Sequence, residues 1–295
     1  HYSQYHYNSG EEMRRKALSI TVTTVILALA ILILSSASAY LVTNIFEIQN
    51  QQTEFNQAKE IAVYLAQSIE DVAFRRGTST YVRFNLRTIK PNYINEYAKI
   101  TLTISPSNGN PWTPINNEET GTVMIQGGSY ASTSFEPLRG LSKITENWRE
   151  ESIIVKESTT PLVWVYTEQS DGAKIWLDPA RIRVTYLGVL NYSWGILNGK
   201  PQFKLTNIVE VKLITLKFGG AVSGTILNIK TLCKNITIKQ LGFEQLQQIS
   251  VEAILNMDGK THHQLLSGLI PASNLGYPTI VTVMASEVEM YMLGG

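Results

Sequence analysis

The sequence predicts an α+β protein: a long N-terminal helix, apolar in its first half and amphipathic in its second, then a β-rich, antiparallel, sandwich-like domain. Three observations carry that prediction. In "MRRKALSITVTTVILALAILILSSASAYLVTNIFE", residues 13–47, the basic triplet Arg14, Arg15 and Lys16 is followed by no ionisable acid or base until Glu47, apart from the phenol of Tyr40. From Phe55 to Val72 the apolar residues recur in steps of three and four, which is one stripe on a helix. Beyond Gly77 the period drops to two, and Asp-Gly and Asn-Gly pairs punctuate the alternating runs.

Residues 1–13 read as a polar extension whose tyrosines and histidines belong to a mobile terminus rather than to a partner site. The uncharged run that follows would be roughly 45 Å long as a helix, against a bilayer core of about 30 Å. It is therefore expected to insert in a membrane, with the spanning segment at about residues 18–43. The basic triplet flanks only its N-terminal side, which places that end on the cytoplasmic face and the bulk of the chain outside as an ectodomain. A competing reading uses Ala37-Ser38-Ala39, which fits the small-x-small rule for signal peptidase and would release the domain without its helix. The apolar run is long for a signal core and continues through Tyr40-Leu41-Val42, which favours retention.

The polar stretch "EIQNQQTE" is a place where the helix is expected to bend or fray. The stripe of Phe55, Ala58, Ala62, Leu65, Ile69 and Val72 resumes it, and "AFRRGTST" ends it near residue 76, with Gly77 as a left-handed cap and Arg75 and Arg76 complementing the helix dipole. The β-rich domain then occupies residues 77–295. Val82, Phe84 and Leu86 alternate with Arg83, Asn85 and Arg87, and Ile100, Leu102 and Ile104 alternate with lysine and threonine. These two runs are expected to be antiparallel neighbours with the helical stripe as their lid. Hairpins are expected at Asp171-Gly172, Asn198-Gly199 and Asp258-Gly259, where the dipeptides supply the positive φ angles of tight turns. Further strands are predicted at 152–157, 181–187, 208–218, 225–230 and 279–292, and a short helix around "LGFEQLQQ". Residues 105–121, rich in turn formers, read as a long surface loop: an insertion within one sandwich or, as the alternative, a divide between two domains.

Composition excludes several function classes. A net charge of +1 provides no field for nucleic acid, so no nucleic-acid partner is expected. The single cysteine, Cys233, rules out an intrachain disulfide framework and a cysteine-based zinc site, and reads as a buried small hydrophobe. Of the four histidines only His262 and His263 fall in the domain, and adjacent strand residues face opposite ways, so a solvent-facing pair is favoured over a metal site. The carboxylate pairs Glu70 with Asp71 and Glu118 with Glu119 read as solvated surface. Arg83, Arg87 and Lys90, near Arg75 and Arg76, read as a solvated basic strip on one strand rather than a polyanion site. "GGAVSG" lacks the endings of a P-loop or a nucleophile elbow and reads as a turn or bulge. No catalytic, cofactor-binding or metal-ligating residue is assigned, and no cofactor. Asn191 in "NYS" and Asn235 in "NIT" match the glycan acceptor pattern.

The stretch "RRKALS" followed by an apolar helix resembles the class III signal of archaeal type IV pilin-like proteins. The continuation "FNQAKEIAVYLAQSIEDVAFRRGTSTYVRF" is also similar to that family, which places a β-rich head after its N-terminal helix. The resemblance implies cleavage by a prepilin peptidase between Ala17 and Leu18, with the apolar helix kept on the product and Val22 as its fifth residue. It implies a structural, non-enzymatic subunit of a cell-surface filament. Its partners would be membrane lipid and then copies of itself or other pilin-like subunits, packed through the small residues Ala28, Ala30, Ser35, Ser36, Ala37, Ser38 and Ala39. The alternative is a single-span anchored ectodomain that binds a ligand or partner subunit without polymerising. A surface hydrolase is disfavoured by the scarcity of histidine.

Overall fold

A computed structural model describes residues 7–84, 87–141, 147–220, 227–243 and 248–294. Helix α1, Tyr7–Ala73, precedes strands β1 (Ser79–Phe84), β2 (Lys90–Pro106), β3 (Trp112–Gln126) and β4 (Glu136–Arg139). A short α2 (Trp148–Glu151) leads to β5 (Ile154–Val155), β6 (Trp164–Gln169), β7 (Ala173–Asp178), β8 (Ile182–Leu197) and β9 (Lys200–Gly220). The chain ends with β10 (Leu227–Phe243), β11 (Ile249–Met257), β12 (Lys260–Leu266) and β13 (Thr279–Gly294). Two compact units divide at Asn50 and Gln51, within α1. The predicted class, a long apolar helix followed by a β-rich domain of antiparallel sheets, is what the structure has.

In the β-rich unit one sheet runs β1-β10-β13-β9-β8-β5 and the other β12-β11-β2-β3-β7-β6-β4. All three predicted dipeptide hairpins form. Asp171, Asn198 and Asp258 have φ of 50°, 52° and 51°, and each is followed by a glycine also at positive φ, as a primed hairpin turn requires. Not every pairing is antiparallel. β13 runs parallel to β9, from Thr279 opposite Asn207 to Tyr291 opposite Gly220, and β5 runs parallel to β8.

The buried residues form two clusters. In one, β2 and β11 of the second sheet face β8, β9 and β13 of the first through Ile100, Leu102, Val251, Val184, Val211 and Val283. In the other, the 51–73 segment of α1 packs with residues of both sheets, among them Val123, Val165, Ile175, Leu216, Ile229 and Val288. Strand β9 serves both: Val209, Val211 and Leu213 enter the first cluster, Ile214 and Leu216 the second. The buried face therefore changes parity at Leu213-Ile214, a switch visible in "VEVKLITL" as a break in alternation.

Several expectations are corrected. β1 pairs with β10, and β2 lies in the other sheet, so the two runs after the helix are not neighbours. Val82 joins the helix cluster, while Ile100, Leu102 and Ile104 pack in the other cluster; the side chains of Phe84 and Leu86 lie outside the described residues. Residues 105–121 are no long loop: β2 ends at Pro106, β3 begins at Trp112, and the two pair as a hairpin with register shifts. Cross-strand pairing overrides the turn formers there, and Asn117 is absorbed at φ 52°. The predicted 152–157 strand shrinks to β5. Of "LGFEQLQQ", Leu241 to Phe243 end β10 rather than forming a helix, because they pair with Thr279 to Val281 of β13; residues 244–247 lie outside the described residues.

Candidate functional site: the N-terminal helix

In the first unit, His1–Asn50, the helix has a bare apolar surface. From Ile20 onward every large hydrophobic side chain is exposed, including Ile26, Leu29, Leu32, Leu34, Leu41 and Phe46. The helix is long and apolar enough to cross a membrane. Its hydroxyl groups add little polarity. Thr24 Oγ1 donates to the Ile20 carbonyl at 2.8 Å and Thr43 Oγ1 to the Ala39 carbonyl at 2.9 Å, so both are satisfied within the helix and need no water.

The seven small residues do not form one stripe. At about 100° per residue, Ala28, Ser35 and Ala39 fall within roughly 40° of one another, Ala30 and Ala37 lie on the opposite side, and Ser36 and Ser38 flank. Ser35 and Ala39 have the small-xxx-small spacing that permits close helix approach. Ala17 and Leu18 lie inside α1, with helical backbone on both sides of the peptide bond. The "EIQNQQTE" stretch is helical throughout rather than bent out of helix, and the unit boundary falls inside it.

In the second unit, Gln51–Gly295, the helical stripe is a core element. Phe55, Ala58, Ala62, Leu65 and Ile69 are fully buried and Val72 nearly so, each large side chain being worth about 1.5–3 kcal/mol of burial. Polar contacts fix this segment along its length. The Gln51 side-chain oxygen accepts the Tyr130 N–H at 2.9 Å, and the Gln52 oxygen accepts the Ser132 N–H at 3.0 Å while its amide donates to the Ser132 carbonyl. Glu54 accepts the N–H groups of Arg87 and Thr88 and the Thr88 hydroxyl. Partial burial pushes the Glu54 carboxyl up, but those hydrogen bonds and the Arg87 charge together hold it below the ordinary glutamate value. Lys59 pairs with Glu136 at 2.9 Å.

The strongest clamp is at Glu70. One carboxylate oxygen accepts Arg139 Nη1 at 2.7 Å and the backbone N–H groups of Leu162 and Val163 at 2.6 and 2.7 Å. Glu70 is thus not part of a solvated pair, although Asp71 beside it is exposed. The helix stops at Ala73, whose carbonyl accepts from Cys233 Sγ at 3.1 Å and from the Ser286 hydroxyl. Cys233 is buried, and it acts as a helix cap as well as filler. Arg75 and Arg76 lie past the helix end, and Gly77, at φ +80°, donates its N–H to the Cys233 carbonyl.

The remaining candidates disperse. Arg83 is on β1 and Lys90 begins β2 in the other sheet, so the basic strip is not one strand. Glu119 pairs with Lys99 at 2.9 Å, while Glu118 lines a cleft of about 370 Å³ with Asn235, Lys239 and Glu287. His263 meets Glu252 at 2.5 Å and His262 approaches Glu150 at 3.7 Å. Among the described residues no group of three or more metal-ligating side chains converges. Asn191 on β8 and Asn235 on β10 are both exposed. "GGAVSG" has Gly219 and Gly220 at the end of β9 and the rest outside the described residues. Sequence reasoning missed the grip of the β-rich unit on the helix, because Glu70 finds its partners 69 and 92 residues away, at the end of β4 and in the turn before β6, whose approach it does not announce. No family model, curated protein or solved structure matches the chain.

Proposed function

We propose that the chain is a structural cell-surface protein, a pilin-like subunit of an archaeal type IV filament held by its N-terminal apolar helix. The observation that carries this reading is the division of labour within α1. From Ile20 to Ile48 its first half leaves the large apolar side chains uncovered, and its second half is gripped by the β-rich unit at Gln51, Glu54 and Glu70. In this reading the free half sits in lipid after export and then moves into a bundle of sister helices. The internally bonded hydroxyls of Thr24 and Thr43 make that transfer inexpensive, and Ser35 and Ala39 allow close contact. Prepilin peptidase would cut between Ala17 and Leu18. The β-rich unit would be extracellular, with Asn191 and Asn235 open to glycosylation. No covalent chemistry is required of any residue.

Electron microscopy of the native particle tests the proposal. A helical array containing this chain supports it, and a lone membrane protein or a defined small complex contradicts it. That second result would favour the alternative, a single-span anchored binding module, which is supported by the exposed apolar side chains of the β-rich unit itself, notably Ile196, Leu197 and Phe203.

A further inference from the structure

The hairpin of β8 and β9 outruns its sheet. β13 begins opposite Asn207, so from Thr206 to the turn at Asn198-Gly199 the two strands pair only with each other, a two-stranded ribbon roughly 20 Å long. Its base is fixed. The buried Asn207 donates to the carbonyls of Asn274 and Tyr277 at 2.9 and 3.1 Å and accepts from the Tyr186 hydroxyl at 2.8 Å. One side of the ribbon is braced as well: Trp194 donates to Thr206 Oγ1 at 2.8 Å, and the Tyr192 hydroxyl accepts from Gln240. The turn end is bare and greasy, with Ile196 at 76% exposure and Leu197 at 61%, and farther back along β9 Phe203 at 58% and Leu205 at 50% are uncovered too. A rigid support that ends in uncovered apolar side chains marks a contact surface.

Charge identifies the partner. Between residues 185 and 209 the only formal charges are Lys200 and Lys204, with no acid. Two such ribbons laid together would bring four ammonium groups into one apolar contact, which disfavours a symmetric contact with a second copy. Apolar tip residues, a Trp and a Tyr further back, and lysines between them are the side chains that an anionic lipid surface accepts: apolar groups enter the acyl region, aromatic rings sit at headgroup depth, and ammonium groups meet phosphates. We propose that the β8–β9 tip inserts into the surface of a bilayer containing anionic lipid, with Ile196 and Leu197 as the wedge and Lys200, opposite Leu197, and Lys204, opposite Tyr192, as the headgroup contacts. Asn191 lies six residues back from Leu197 along β8, roughly 20 Å, so a glycan there stays clear of the wedge. The inference does not depend on polymerisation.

The test uses the full chain held by its apolar helix in nanodiscs of phosphatidylcholine, mixed with acceptor vesicles and separated by flotation. The expected result is co-flotation with vesicles containing phosphatidylglycerol and little with phosphatidylcholine alone. Ile196→Ser with Leu197→Ser should abolish it. Lys200→Gln with Lys204→Gln should weaken it roughly 30-fold, from about 1 kcal/mol per surface lysine. All four positions are solvent-exposed, so folding is not at stake. A fluorophore on Leu197→Cys should shift to the blue with the anionic vesicles and be quenched by spin-labelled acyl chains. Flotation that survives the double serine change would overturn the proposal. So would equal binding to neutral vesicles, or a fluorophore shift that follows protein concentration without lipid, which would indicate docking on another copy.

Discussion

Replacing Glu70 with alanine tests whether the β-rich unit holds α1 by a specific clamp or by apolar burial alone. The substitution removes the acceptor for two backbone N–H groups, those of Leu162 and Val163, in residues that are at most 1% exposed, and it strips Arg139 of its carboxylate. An unsatisfied buried donor costs about 1–3 kcal/mol, and breaking a buried ion pair about 3–5 kcal/mol. Glu70 and Arg139 keep 17% exposure, and Arg139 retains the Val163 carbonyl at 2.6 Å, so the loss is reduced to about 3 kcal/mol. For a unit of this size that is roughly 6–12 °C in Tm. Glu70→Gln keeps an oxygen for the two N–H groups and loses only the charge, so it should cost about 1–1.5 kcal/mol. The assay is thermal unfolding of the full chain in detergent, followed by strand circular dichroism, with Arg139→Ala and the double variant completing a cycle. A Glu70→Ala shift under about 2 °C, or equal damage from glutamine and alanine, would refute the reasoning.

Two other perturbations follow from the same contacts. A Cβ at Gly127 would sit 2.8 Å from Phe55 Cδ2 and 2.8 Å from Ala131 Cβ, so Gly127→Ala should destabilise by about 1–3 kcal/mol, read as an earlier denaturation midpoint. Glu54 has a folded-state pKa below its unfolded value, so its contribution is complete above the ordinary glutamate pKa and fades as pH falls through the folded value. A Glu54→Gln variant should therefore be less stable than the parent at neutral pH and approach it under acid conditions. Parallel stability curves across that range would remove Glu54 from the account.

Local chemistry was legible and distant pairing was not. The Asp-Gly and Asn-Gly turns needed only their own residues to be read, since positive φ is a property of the dipeptide. The helical stripe was legible for the same reason: Phe55 to Val72 keep one period over five turns, and they are buried as a face. The first part of β3, Trp112 to Gly121, was hidden because its residues favour turns in isolation and are held extended by β2. The parallel partnership of β9 with β13 joins residues about 70 positions apart, and no residue type encodes it. In β9 the alternation does break at Leu213-Ile214, so the change of buried face had a signal that a search for uniform alternation passes over. Of the candidate site, the apolar half of α1 was visible as an uncharged run. The Glu70 clamp was not, because a helix surface glutamate looks the same whether its partners arrive or water does.

Retention of the uncovered helix is the claim on which the functional account stands. N-terminal sequencing of the mature protein from its native cells tests it most directly. The account predicts a chain that begins at Leu18 and keeps the apolar residues through Ile48; a chain that begins at Tyr40 would contradict it.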